Sequence, residues 1–131
     1  MKQIKQITLA IGVAALLATG CKSNNLYGTI ITITQVRDST MKEFAKLDKE
    51  GFINPELDIK ITEVDSRYRA LARATESALT AYHNGGSQTE YINVLNATRA
   101  AVGELINLLR PIGSPVKVSI LDANLKKASS L

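Results

Sequence analysis

Asn54-Pro-Glu-Leu57-Asp-Ile-Lys-Ile61-Thr-Glu-Val64-Asp-Ser-Arg-Tyr68-Arg-Ala-Leu71 and its continuation through Thr75, Ala78 and Tyr82 to His83-Asn84-Gly85-Gly86 form the stretch that decides the fold. Leu57, Ile61, Val64, Tyr68, Leu71, Thr75, Ala78 and Tyr82 recur at alternating spacings of four and three. That is the signature of a helix with a heptad seam, held for more than three repeats. Both ends are marked. Asn54 is a helix N-cap, Pro55 suits the first helical position and Glu56 favours the first turn. Asn84-Gly85-Gly86 stops the run. A helix from Pro55 to His83 is about 43 Å long at 1.5 Å per residue. Three acid-first pairs four residues apart support it: Glu56–Lys60, Glu63–Arg67 and Asp65–Arg69.

Downstream, Ser87-Gln-Thr-Glu90 matches a capping box. Tyr91, Leu95, Thr98, Val102, Leu105 and Leu109 repeat the four-three spacing, and Val94, Ala101 and Leu108 widen the stripe. Pro111 ends this helix, whose only charges are Glu90, Arg99, Glu104 and Arg110. Such sparse charge marks it as the most buried of the helices. Upstream, a helix from about Thr29 to Glu50 places Ile30, Ile33, Val36, Met41, Phe44 and Leu47 near one face, with Asp38 four residues before Lys42 and Gly51 as the C′ residue. The β-branched run Thr29–Val36 also suits a strand, but no convincing strand precedes residue 116 to pair with it, so helix is preferred. After Pro111-Ile-Gly-Ser-Pro115, Val118, Leu121 and Leu125 fit a short helix, while Val116, Val118 and Ile120 fit a short strand. Helix is again preferred, with residues 128–131 frayed.

The chain has 131 residues, 45% apolar and 21% charged, enough for one domain with one core. One cysteine forms no intramolecular disulfide, and one cysteine with one histidine builds no zinc site. The N-terminus has its own organisation. Lys2 and Lys5 precede an uncharged, mostly apolar stretch from Ile7 to Thr19. Thirteen residues fall short of the ~20 that span a bilayer, and the anatomy is that of a secretory signal peptide.

Leu17-Ala18-Thr19-Gly20-Cys21 resembles the lipobox of bacterial lipoproteins. The resemblance covers residues 1–21, with Ala18 standing where leucine is the more usual residue. It implies diacylglycerol on the Cys21 sulfur, cleavage before Cys21 and acylation of the new amine. Lipidation also leaves no free thiol in an oxidising compartment. Lys22, in the place where aspartate retains enteric lipoproteins in the inner membrane, points to the outer membrane facing the periplasm in a Gram-negative host.

Cleavage leaves 111 residues and removes Lys2 and Lys5, so the net charge falls from +4 to +2. A nucleic-acid partner loses most of its support at that step. The expected organisation is a signal peptide over 1–20, a lipidated cysteine and short tether over 21–28, an all-α antiparallel three-helix bundle over 29–110, and a tail over 111–131. A tether of four or five residues around 22–25 reaches at most about 17 Å, so the bundle sits close to the bilayer. An up-down-up path then puts the His83–Gly86 loop near the membrane. The 51–54 turn and the tail lie at the distal end.

No segment spells a catalytic site. The turn around Gly51 places Asp48 and Glu50 as in a calcium loop, but Lys46 and Leu57 occupy the outer ligand positions, so it reads as a capping turn. His83 has Tyr82 and Asn84 beside it and suits the helix dipole rather than base catalysis. Nucleophile-elbow, zincin and phosphate-loop patterns are absent. Arg67, Arg69, Arg73 and Arg99 read as a solvated face, or else as a strip for anionic headgroups. Ala70, Ala74, Ala78 and Ala81, with Ala97, Ala100 and Ala101, let helices approach closely, either within the bundle or in self-association.

The combined expectation is a non-enzymatic, lipid-anchored envelope protein that binds an envelope partner or itself, with no metal and no cofactor. The competing expectation is a carrier whose helices part around a lipid or other apolar ligand. Few aromatics and no evident polar anchor argue against the carrier.

Overall fold

The structure, a computed structural model, describes residues 24–128. Lipobox residues Leu17–Gly20, Cys21 and the signal peptide lie outside them. Among the described residues there are four helices and no strand: α1 (Asn24–Lys49), α2 (Pro55–His83), α3 (Gln88–Leu109) and α4 (Pro115–Lys127). None is long and apolar enough to cross a membrane.

Helix α2 has the bounds that its sequence signals set, because each end is chemically capped. The Asn54 side chain accepts the Leu57 amide at 2.8 Å. At the far end Gly85 adopts φ +98°, the Gly85 amide reaches Tyr82 O and the Gly86 amide reaches Ala81 O. These two bonds make a Schellman motif, which satisfies carbonyls that the helix end would strand. Helix α1 closes the same way, with Gly51 at φ +84° and bonds from Gly51 to Asp48 O and from Phe52 to Leu47 O. Ser87 caps α3 through the Glu90 amide.

Helix α1 begins at Asn24, five residues ahead of Thr29, so residues 24–28 are helical rather than tether. Its β-branched start stays helical because tertiary burial overrides intrinsic preference. Ile33, Val36, Met41 and Phe44 are buried. The threonine hydroxyls return to the backbone, Thr32 to Gly28 O and Thr40 to Val36 O, so Thr40 is buried without an orphaned group.

Helix α3 is the hub and packs against all three others. Leu95, Val102, Leu105, Ile106 and Leu109 are sealed from solvent, as its scarcity of charge predicts. It meets α2 along the facing seams. Tyr82 stacks on Tyr91 with ring centroids 6.4 Å apart, Thr75 and Thr98 share a hydroxyl bond of 2.8 Å, and Arg67 pairs with Glu104. The Arg67 partner is therefore across the interface, not at Glu63.

The segment after Pro115 is a helix, with Val118 and Leu121 buried and Val116 and Ile120 exposed. Strand alternation would have put 116, 118 and 120 on one face. Ala128, expected in a frayed end, is buried. Helix α4 packs against both α1 and α3. Lys117 bridges to Glu43, Asp122 pairs with Arg110, and Leu125 lies beside Gly103. It folds back over the groove between α1 and α3. Its hydrogen bond to Glu43, then the charge of Glu43, raises the Lys117 pKa above the ordinary value.

Candidate functional site

The most concentrated polar chemistry lies where α1 faces α2. Arg37 is 1% exposed and Asp65 5% exposed. The guanidinium donates from Nε to Asp65 Oδ1 and from Nη2 to Asp65 Oδ2, both at 2.8 Å. Its Nη1 donates to Asp38 Oδ1 at 2.9 Å. Below the fork lies the Tyr68 ring, 5.3 Å from the guanidinium carbon, and Arg69 approaches Asp65 at 3.2 Å. Planarity and five fixed donors suit arginine, not lysine, to this place.

Burial opposes the Arg37 charge, but the hydrogen bonds and charge of Asp65, then those of Asp38, outweigh it and raise the pKa. Burial pushes the Tyr68 hydroxyl above its ordinary value, against the lowering influence of a hydrogen bond to Thr34 and of the Arg37 charge. The cluster offers the chemistry of a lock. Both carboxylate oxygens of Asp65 accept from the Arg37 fork, and the cation has acceptors on two sides. A reactive base needs the opposite, an accessible lone pair beside a substrate.

Sequence reasoning missed this cluster. It assigned Asp38 to Lys42 and Asp65 to Arg69 alone. The signal was nevertheless present. Ile30, Ile33, Arg37, Thr40, Phe44 and Leu47 follow spacings of three and four, so the heptad continues into α1 with two polar residues in the seam. Following apolar residues to Val36 and Met41 stepped over Arg37.

The other candidate residues do not converge. Arg67 is tied to Glu104, Arg69 faces Asp65, Arg73 is exposed on α2, and Arg99 lies on α3 facing α4. They form no continuous strip. His83 is half-buried, and its Nδ1 meets no hydrogen-bond partner among the described residues. Ala70, Ala74 and Ala81 are exposed, while Ala78 is half-buried and Ala101 buried, so most of the α2 stripe lies outside the bundle's packing.

Two surface grooves flank α4. One, of about 390 Å³, lies against α3 and includes Asn96, Arg99, Gly103 and Asn107. The other, of about 530 Å³, lies against α1 and includes Thr32, Gln35 and Ser39. Both linings mix polar and apolar residues: Ala100 and Leu125 also line the first, Val36 and Leu121 the second. Among the described residues, Phe52, Ile59, Val116 and Ile120 are large hydrophobic residues left exposed. They lie on the α1–α2 turn, the start of α2 and the outer face of α4.

No family model, curated protein or solved structure matches this chain.

Proposed function

We propose that the chain is a lipid-anchored, non-enzymatic envelope protein that acts through a protein partner bound at the end of the molecule remote from the anchor. Cys21 carries the lipid and Leu17-Ala18-Thr19-Gly20 is its lipobox. Helix α1 starts three residues after Cys21, so the tether is shorter than the sequence alone suggests. The helices form an antiparallel bundle, α1 rising from the membrane, α2 returning and α3 rising again. Stepwise contacts from Tyr82–Tyr91 through Thr75–Thr98 to Arg67–Glu104 support opposite directions for α2 and α3. In the same frame α4 descends along α1.

The observation that carries the partner reading is the position of the exposed apolar side chains. Phe52 is 60% and Val116 69% exposed, and the turn that holds Phe52 lies at the opposite end of α1 from Cys21. Large apolar residues gathered at one end mark an interaction surface better than scattered ones do. A photo-crosslinking residue at position 52 or 116 should capture an envelope protein from intact cells, whereas one at position 87 should not. Cys21→Ala should move the protein out of the detergent phase. Equal capture from 52 and 87 would end the distal-partner reading, and detergent partitioning that survives Cys21→Ala would end the lipid anchor.

A further inference from the structure

The groove between α3 and α4 has a chemistry that the partner reading does not use. Asn96, Arg99, Gly103 and Asn107 lie along one face of α3, with Leu125 and Lys126 opposite on α4. At Gly103 the two helices come close, since a Cβ there would meet Leu125 Cδ2 in ordinary contact at 3.7 Å. Arg99 is half-buried, and its buried Nη1 atom meets no acceptor among the described residues. A buried charged donor without an acceptor is costly, and native structures rarely leave one. The groove also contains a carboxylate, Asp122, which Arg110 holds at 2.9 Å. Its charge is thereby offset within the protein.

We propose that this groove binds a phosphate group, with Arg99 as the anchoring donor, Asn96 as a second donor and Lys126 supplying further positive charge. Arginine beside a second cation suits phosphate, which carries more charge than a single carboxylate. Asn107 lies eight residues, or about 12 Å, further along α3 than Arg99. It is therefore placed to meet the rest of an extended phosphate ester, not the phosphate itself. A membrane headgroup and a soluble phosphate ester share this chemistry.

The test uses the full-length protein in neutral detergent. Glycerol 3-phosphate is titrated in one arm and a short-chain phosphatidic acid, mixed into the micelles, in the other. The readout is the NMR signal of the Arg99 side-chain Nε–H with the amides of Asn96 and Asn107. A saturable shift of these signals is expected. Shifts with glycerol 3-phosphate identify a soluble ester as sufficient, and shifts with the lipid alone identify a headgroup. Arg99→Gln should weaken binding at least about tenfold, equivalent to about 1.4 kcal/mol. Lys126→Gln, on the exposed last turn of α4, should weaken it by a smaller factor, and Arg73→Gln should leave it unchanged. No saturable shift with either probe overturns the proposal. So does a folded Arg99→Gln protein, or a Lys126→Gln protein, that binds as well as the wild type. None of these outcomes depends on the lipid anchor or on the distal partner.

Discussion

Helix α2 has two interfaces, and they are built on different principles. Towards α3 it presents its apolar seam, with Tyr82 stacked on Tyr91 and one threonine pair inserted at Thr75 and Thr98. Towards α1 the specific link is an ion pair, Arg37 on Asp65, with Tyr68 beneath it. The apolar seam is tolerant, because burial has little directionality and similar side chains can substitute. The ion pair is intolerant, since only one alignment of α1 against α2 brings the fork to the carboxylate. A heptad permits slippage by seven residues, and a buried polar pair removes that freedom. The proposed division is that the seam supplies most of the burial while Arg37–Asp65 fixes the register.

Removing one partner of the ion pair is the harshest way to break this contrast. Asp65→Ala leaves Arg37 buried with only Asp38 to offset its charge, and breaking a buried pair typically costs about 3–5 kcal/mol. Equilibrium urea unfolding should show this as a loss of midpoint. The double variant Arg37→Met/Asp65→Leu should regain most of the loss, because apolar replacement of both partners removes the desolvation penalty as well. If register is what the pair contributes, the double variant should also broaden NMR lines of α1 while remaining stable. A double variant as unstable as Asp65→Ala would show that the pair contributes stability, not register.

The apolar side of the comparison is tested at Leu105, which is sealed in α3 where the helices meet. Leu105→Ala should cost about 2–5 kcal/mol, and Leu105→Met under about 1.5 kcal/mol, in the same unfolding assay. That graded response is the mark of a packing contact. A charged lock responds to conservative change more abruptly, so Arg37→Lys should behave closer to a deletion.

How much of each interface the sequence displays follows from the same difference. Apolar periodicity is written along one helix, so the α2 and α3 seams are visible in the order of residues alone. Caps are equally local: Asn54, Ser87, Gly51 and Gly85 act within a few residues of themselves. The Arg37–Asp65 pair joins residues 28 apart, and each has a nearer opposite charge to distract attention. Helix α4 is only partly legible for a related reason. Its buried residues Val118 and Leu121 are too few to set a period, and its direction depends on Glu43, Arg110 and Gly103, all on other helices or their ends. The α3–α4 groove is the extreme case. Arg99 reads as a solvated residue, and only the placement of α4 encloses it.

Alkaline pH offers a gentler probe of the polar interface. Burial raises the Tyr68 pKa above 10.0, so the folded state holds its phenolic proton more tightly than the unfolded state does. The associated stability is complete below pH about 10 and is lost as pH rises through the folded value. Tyr68→Phe cannot ionise and should flatten that part of the stability decline.

Within the α2–α3 seam, the Thr75–Thr98 pair should be a weak version of the ion pair. The two hydroxyl hydrogens serve three contacts, since each can donate to the carbonyl four residues earlier, Thr75 to Leu71 O and Thr98 to Val94 O, and one of them can donate to the other hydroxyl instead. Thr75→Val therefore does not strand Thr98, and the cost should be about 1 kcal/mol, the net value of one hydrogen bond. A cost near that of Asp65→Ala would erase the distinction between a redundant polar layer and an essential one.

The smallest effect expected is a gain. Gly103 sits within α3, its φ is not positive, and an added Cβ would meet Leu125 Cδ2 at an ordinary contact distance of 3.7 Å. Glycine in a helix interior costs up to about 1 kcal/mol relative to alanine. Gly103→Ala should therefore raise stability by about 0.5–1 kcal/mol, read as a higher urea midpoint with the slope unchanged. Its value lies in the contrast with Gly86, where a Cβ would stand 2.8 Å from Ala81 O, against backbone that cannot step aside. Gly86→Ala should destabilise the α2 cap. If Gly103→Ala destabilised the protein too, Leu125 would have to pack against α3 more tightly than the 3.7 Å contact allows, and the groove beside it would be too narrow for the phosphate proposed there.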